Sequence, residues 1–325
     1  MRSLRYNRRP PNMDYRDVIK EIGRGKAGVR DLPYTLARSL FGAMLDGELP
    51  DLELGAIVLA YRIKGETTIE LRAFLDAVQA RLTPIRSTRP AVVIPSYNGA
   101  RHSPNLVALL ALTLRDQGID VLVHGVNQDP KRVTSAEVLA ALGHSPCADA
   151  HDATQRLATE HLAFISVDSL AAGLARLLDL RWRLGVRGSA HTVCKMIQPL
   201  DSPNVAQLVS VTHPEYLAAM RDYFSAYPAN VMLMRGTEGE AVANCKRPQL
   251  IEWLHGPHRD TLIAAVEGSI ASVPPLPASL AAAVTAAWIT DVRAGRVPFP
   301  AAIAAQVTAM KHILLPVRAD GPVAA

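Results

Sequence analysis

The chain is poor in cysteine, has no long apolar run, and in two stretches has no acid at all. Its 325 residues include only Cys147, Cys194 and Cys245. These are isolated, without the close Cys/Cys or Cys/His spacing of a metal site. They therefore imply no disulfide framework and are read as inert thiols in a reducing, cytoplasmic setting. No apolar run reaches the roughly 18 residues needed to span a bilayer, so no membrane partner is expected. The N-terminus is rich in arginine but lacks the apolar core of a secretory signal. Residues 1–12 hold four arginines and no acid, and read as a flexible basic tail. That tail accounts for most of the net charge of +5, leaving +1 for the remaining chain. Global charge alone therefore gives no reason to expect a polyanionic partner, and only local clusters can supply one.

With 49% hydrophobic and 20% charged residues, the chain can bury a large core in one or two domains. Residues 13–85 show helical spacing throughout. Asp14 is placed to cap a helix ending at Ile22. Thr35–Leu45 has apolar residues at helical intervals and stops at Gly47. Asp51 is read as the cap of Leu52–Ile63. Thr67 is read as the cap of Thr68–Leu82, with Glu70 at capping-box distance. Residues 83–90 read as a linker. From Pro90 the pattern alternates, with strands at Val92–Ile94, Val121–His124, Leu162–Val167, Leu208–Val211 and Val231–Met234. Helices at Leu106–Asp116, Ser135–Leu142, Ser169–Leu180 and Glu215–Ser225 lie between them. Residues 278–294 and 301–315 read as Ala-rich packing helices. The expected fold class is α/β: a small helical N-terminal domain, then a larger domain at 90–325 with a mainly parallel sheet flanked by helices.

One junction stands out. The run Val92-Val93-Ile94 ends at Pro95, Ser96-Tyr97-Asn98-Gly99 forms a turn, and Ser103-Pro104-Asn105 opens a helix. Strand, loop and helix start in this order make an anion site, because free N–H groups and the positive helix end face the loop. Yet such loops are normally glycine-rich so that backbone can approach the ligand. Here there is only Gly99, and Pro95 has no N–H to donate.

Three stretches together resemble the anthranilate phosphoribosyltransferase family. They are Leu45-Asp46-Gly47-Glu48-Leu49 with Ala60-Tyr61-Arg62-Ile63-Lys64-Gly65-Glu66-Thr67, then Val133-Thr134-Ser135-Ala136-Glu137 through Gly143, then Arg181-Trp182-Arg183-Leu184-Gly185-Val186-Arg187. The resemblance spans roughly residues 14–315. It implies a helical domain rejoined by helices at about 181–200, an α/β domain, and a cleft between the two.

The departures bear on activity. The family's phosphoribosyl pyrophosphate loop reads G-T-G-G-D-G-x-x-T-F-N, whereas residues 95–105 read Pro-Ser-Tyr-Asn-Gly-Ala-Arg-His-Ser-Pro-Asn. The family's metal-holding Asp-Glu pair falls on Ala241 and Val242, with Glu238 and Glu240 nearby but shifted. Its lysine before His-Gly is Val123. Its H-P-A-M segment falls near Ala171-Ala172-Gly173-Leu174, without a histidine. Pyrophosphate departure needs Mg²⁺ and preorganised N–H donors, and alanine and valine offer no oxygen to a metal. Arg181 matches the arginine that faces the aromatic acid in the family. No cofactor, metal or catalytic residue is expected.

Positive charge occupies the same segments. Arg24, Lys26 and Arg30 lie in a glycine-spaced loop. Arg101 and His102 sit beside the altered phosphate loop, and Lys131 and Arg132 lie in the second loop. Arg181, Arg183, Arg187, His191 and Lys195 form a run free of acid, and Arg235 replaces a family histidine. The segments Glu21–Leu32 and Ile94–Arg101 also look like a branch of the family that lacks transferase activity, binds nucleic acid and forms dimers. The resemblance therefore implies DNA or RNA lying along a basic interdomain cleft, and a homodimer through the helical domain. The alternative is a phosphoribosyltransferase with an altered donor or acceptor. Trp182 is open to two readings, a base-stacking platform or a wedge between helices. His213-Pro214-Glu215 is likewise either an acid/base pair or a helix start.

Overall fold

The computed structural model describes residues 13–25, 28–268, 273 and 275–315. Lys26 and the basic tail, both singled out above, lie outside the described residues. The elements run α1 (Tyr15–Ile22), α2 (Tyr34–Asp46), α3 (Asp51–Lys64), α4 (Thr68–Gln79), β1 (Ile85–Arg86), β2 (Ala91–Ser96), α5 (Val107–Asp116), β3 (Asp120–Gly125), α6 (Ser135–Ala141), α7 (Ala150–Glu160) and β4 (Leu162–Ser166). There follow α8 (Val167–Leu170), α9 (Ala172–Leu184), α10 (Ala190–Val193), β5 (Leu200–Asp201), β6 (Val205–Val211), α11 (Pro214–Ala226), β7 (Val231–Arg235), β8 (Ile251–His255), β9 (His258–Ile263), α12 (Ala282–Arg293) and α13 (Ala301–Leu314). The described residues form two compact units, one of those up to 82 with 171–197 and the other of 83–170 with those from 198 on.

The helical unit contains α1–α4, α9 and α10. Its returning segment begins at Ala171, earlier than the Arg181 expected from sequence. The N-terminal punctuation largely behaves as read. Asp14 accepts the Arg16 amide, Gly47 closes α2 in the left-handed conformation, and Thr67 with Glu70 forms a complete capping box on α4. Asp51 is instead the first residue of α3, after Pro50, and gives no cap hydrogen bond.

Glu70 also anchors the whole unit. It is fully buried. It accepts from the amides of Leu32 and Thr67 (each 2.9 Å), the Tyr61 hydroxyl (3.1 Å) and Lys64 Nζ (2.6 Å). Desolvating a carboxylate is tolerable only when its lone pairs are filled in this way. Replacing Glu70 by Ala would leave the buried Lys64 ammonium with Asp31 as its remaining carboxylate, at 2.7 Å, and would strand the Leu32 and Thr67 amides and the Tyr61 hydroxyl. The expected loss is about 3–5 kcal/mol of stability, read as a fall in the urea midpoint.

In the other unit, among the described residues, a sheet has the order β4-β3-β2-β6-β7-β8-β9. β4, β3, β2, β6 and β7 are parallel; β8 and β9 run antiparallel at one edge. β2 and β3 are buried on both faces, as continuous β-branched runs in a covered parallel sheet must be. α5 supplies much of the covering layer, with Val107–Leu112 and Leu114 all buried. Chain order reverses between β2 and β6, so the loop after β2 lies at the topological switch point where open α/β sheets place ligands.

Several expectations are corrected. The helix read at Ser169–Leu180 is two helices, α8 and α9, broken at Ala171, whose φ of −154° is not helical. The linker at 83–90 contributes β1, paired with β5. α7 and the β8–β9 hairpin were not anticipated. α7 has a cap signal in Asp149, which accepts from the His151 and Asp152 amides. β9 reads His-Arg-Asp-Thr-Leu-Ile and is largely exposed, so it shows no apolar alternation.

Candidate functional site

The altered phosphate loop is stitched into a site by two others. Ala100 exchanges backbone hydrogen bonds with Val133 in the loop after β3 (2.8 and 2.9 Å). Ser96 Oγ donates to Ser135 Oγ (2.7 Å), and Asn105 Nδ2 donates to Val133 O (3.2 Å). Gly99 has φ +67°, and a Cβ there would press within 3.0 Å of Arg132 Cβ. Its glycine is thus required by the approach of the second loop.

The third loop follows β7 and changes the meaning of the first. Glu240 Oε1 accepts from the amides of Asn98 and Gly99, both at 2.7 Å. Glu238 accepts from the amides of Arg101 (3.0 Å), His102 (2.8 Å) and Ser103 (2.7 Å). A Cβ at Gly239 would overlap the Asn98 side-chain amide, so the turn can sit this close only with glycine there. The loop is therefore the anion nest that its strand–loop–helix pattern predicts. Its amides, expected to be free, are occupied by two carboxylates of the same chain. Glu238 and Glu240 were legible only as displaced remnants of a metal pair; their amide partners could not be read from sequence.

Beneath the loop, Tyr97 is buried with its hydroxyl 2.7 Å from His124 Nδ1. Burial pushes His124 down to about 3, so it is neutral.

The family resemblance implies Mg²⁺, and the residues present do not fit it. Ala241 and Val242 are buried in the apolar core of the unit. Glu238 and Glu240, the nearby acids, are engaged by backbone amides. Mg²⁺ needs several hard oxygen ligands in near-octahedral array. Among the described residues, no group of three or more His, Cys, Asp or Glu side chains is placed to hold a metal ion.

The basic residues fall into separate groups. In the helical unit, burial together with the charges of Arg187, Arg181 and Lys195 pushes His191 down to about 3. Burial is the larger cause, and the three positive charges add to it. Arg181 also lies over the Trp182 ring at 4.2 Å, and Trp182 is 51% exposed, so its ring is not a wedge buried between helices. Gly185 of the arginine motif closes α9 in the left-handed conformation. The run is acid-free in sequence but not in space, because Arg183 pairs with Asp51 at 2.7 Å. Arg24 and Arg30 both pair with Glu21. In the other unit Arg101, His102 and Lys131 are exposed, whereas Arg132 lies 3.7 Å from Glu238 Oε2. Arg235 is half-buried, and its Nε has no hydrogen-bond partner. His213 precedes α11 with Pro214 in its first turn, the helix-start reading of that segment.

Two neutral buried histidines make stability depend on acid. Unfolded histidine titrates near 6.5, so between about 6.5 and about 3 the unfolded chain binds more protons than the folded one. Stability is full above that window and falls as pH drops through it. The urea midpoint is expected to decline from about pH 7 to about pH 5, and more shallowly in His191→Gln, which removes one of the two groups. An identical decline in that variant would contradict the assignment.

The architecture is that of a glycosyl transferase scaffold, and comparison with known proteins agrees. Residues 16–82 match the helical bundle domain of the glycosyl transferase family. The solved structures similar to this one include anthranilate phosphoribosyltransferase from Thermus thermophilus, with a TM-score of 0.71 at 21% identity over 92% of this chain and 89% of that one. The Saccharomyces cerevisiae anthranilate phosphoribosyltransferase in complex with PRPP and Mg gives 0.67 at 12% identity, over 90% and 85%. In sequence, the Escherichia coli K12 protein named "Uncharacterized protein YbiB" is 40% identical over 91% of this chain and 92% of its own length. An Anaeromyxobacter anthranilate phosphoribosyltransferase is 31% identical over 60% and 59%. The chain belongs to the anthranilate phosphoribosyltransferase-like family. No helix among the described residues is long and apolar enough to cross a membrane.

Proposed function

We propose that this protein is a non-catalytic nucleic-acid-binding member of its family, taking DNA, and RNA by the same contacts, largely without regard to sequence. The observation that carries the reading is the acid-free run from 181 to 195, which sets Arg181, Arg187 and Lys195 at half-buried positions of the helical unit. Guanidinium forks suit phosphate oxygens, and phosphate contacts position a strand without reading its bases. Exposed Arg101, His102 and Lys131 add charge on the second unit. Transferase chemistry is disfavoured by a donor loop whose amides already hold carboxylates.

One titration series tests this, using duplex DNA, single-stranded DNA, RNA, and phosphoribosyl pyrophosphate with Mg²⁺ at two salt concentrations. If about five phosphates are neutralised, log K for duplex should fall with log salt at a slope of roughly −4 to −5. Salt-independent binding, or none, would overturn the reading. The second reading, a transferase with an altered donor or acceptor, draws on the retained Arg181 and would be favoured by tight Mg²⁺-dependent binding of the sugar phosphate.

Homodimerisation through the helical unit belongs to the same proposal. α3 leaves Leu52 (81%), Leu59 (40%) and Ile63 (78%) exposed, at spacings of seven and four that put them on one helical face. Replacing Leu52 and Ile63 by Lys is expected to give a monomer by light scattering at micromolar concentration, against a dimer for wild type.

A further inference from the structure

We propose that Trp182 is a stacking platform for an unpaired base, so that single-stranded DNA or RNA gains a contact that a duplex cannot make. The proposal rests on the nucleic-acid reading and names the form of nucleic acid that the arginine motif favours. Trp182 lies in the last turn of α9, between Arg181 and Arg183. Ala175 and Leu178, seven and four positions earlier on the same helical face, are buried. Trp182 continues their stripe, yet it is 51% exposed. The apolar stripe therefore outruns the structure that covers it and leaves an indole in contact with water.

The other two tryptophans are fixed by their ring nitrogens. Trp253 donates its indole N–H to Asn230 Oδ1 and Trp288 donates to Pro275 O, both at 2.7 Å. Trp182 is held by a ring face instead, with the Arg181 guanidinium carbon 4.2 Å from the ring centroid. A guanidinium in that place is attracted to the π-face and restrains the ring. With one face so covered, the exposure falls on the opposite face and the ring edge. A base docking there completes a stack of guanidinium, indole and base, and it meets a side chain that has little rotamer freedom left to lose.

Charge decides the occupant. Arg181 and Arg183 flank the ring in sequence, and Arg187 follows just beyond Gly185, where the helix ends. Asp51 is held by Arg183 at 2.7 Å. Asp179, exposed one turn earlier, repels phosphate, so a strand is drawn to the C-terminal side of the ring. An apolar protein surface covering Trp182 would have to desolvate these guanidiniums. A nucleotide brings phosphate for them and a π-face for the indole, and stacking of this kind is tolerant of sequence because every base has such a face. In a duplex each base already lies against its neighbours, so only an unstacked base can take the place.

The probes are an oligothymidylate, an abasic oligonucleotide and a DNA duplex of equal length, titrated into the full-length protein. Trp182→Ala is expected to bind oligothymidylate about tenfold more weakly than wild type, and to bind the abasic strand and the duplex as wild type does. Trp182→Phe, which keeps a π-face, should recover most of that loss. Wild type should itself prefer oligothymidylate to the abasic strand by a similar factor, a comparison that needs no variant. Oligothymidylate should also quench the intrinsic fluorescence of wild type, and the quench should be absent in Trp182→Phe. Unchanged oligothymidylate binding in Trp182→Ala, an equal loss for all three ligands, or a quench that persists in Trp182→Phe would overturn the platform. So would light scattering that shows Trp182→Ala as a monomer beside a dimeric wild type, because the ring would then belong to an interface between copies. If wild type binds the duplex while Trp182→Ala loses nothing on oligothymidylate, only the platform fails. If wild type binds none of the three, the nucleic-acid reading fails and the platform with it.

Discussion

Replacing Arg181, Arg183 and Arg187 together by alanine is expected to abolish most DNA binding, weakening it on the order of a hundredfold at about 0.15 M salt. The slope of log K against log salt should flatten by close to three units, at about 0.9 for each phosphate no longer neutralised. The charges of Arg181 and Arg187 add to the burial that depresses His191, so their removal should also lift that imidazole part of the way. Arg183 is paired with Asp51, but both side chains are well exposed and such a pair contributes little to stability. Its removal leaves the Asp51 charge unopposed beside an approaching phosphate. Thermal melts of the triple variant should stay near those of wild type, which separates a weakened binding surface from an unfolded chain. Deleting residues 1–12 should weaken binding only modestly, because a tail adds charge without fixed geometry. The comparison between the two variants is decisive. If the tail deletion abolishes binding and the triple substitution spares it, the arginine motif is not the site.

The second large effect is expected in a transferase assay. With anthranilate, phosphoribosyl pyrophosphate and Mg²⁺, turnover should not rise above background. Each preorganised donor removed from a developing anion typically costs ~10²–10³ in rate. Here five amides of the corresponding loop are committed to Glu238 and Glu240. The positions of the metal carboxylates are Ala241 and Val242, buried in the core. Restoring those carboxylates singly is expected to leave activity at background, because Tyr97, packed under the loop against His124, and the two glutamates would still fill the donor site. Turnover that requires Mg²⁺ and disappears in Arg181→Ala would refute the prediction and establish the alternative reading.

Sequence alone determined the elements whose cause is local. β2 and β3 are β-branched runs, α4 carries the complete capping box of Thr67 and Glu70, and α2 stops at a left-handed Gly47. Periodicity and caps act within a few residues, so they survive in a linear reading. The same holds for the parallel sheet, because alternating strands and helices leave few other ways to bury both faces. The missing glycines and carboxylates were also visible, being identities rather than geometry. β9 is not legible because an exposed edge strand has no apolar alternation, and α7 because its buried face is only Ala150, Ala153 and Leu157.

What only the tertiary structure decided is the electrostatic sense of each cluster. The 181–195 run has no acid in sequence, yet Asp51 meets Arg183 from more than a hundred positions away. The strand–loop–helix junction announced an anion site. Whether that site is open depended on Glu238 and Glu240, which reach it across a separation of well over a hundred residues. Coulomb energy and hydrogen bonding follow distance in space, and chain folding brings together charges whose separation along the sequence carries no trace of the meeting.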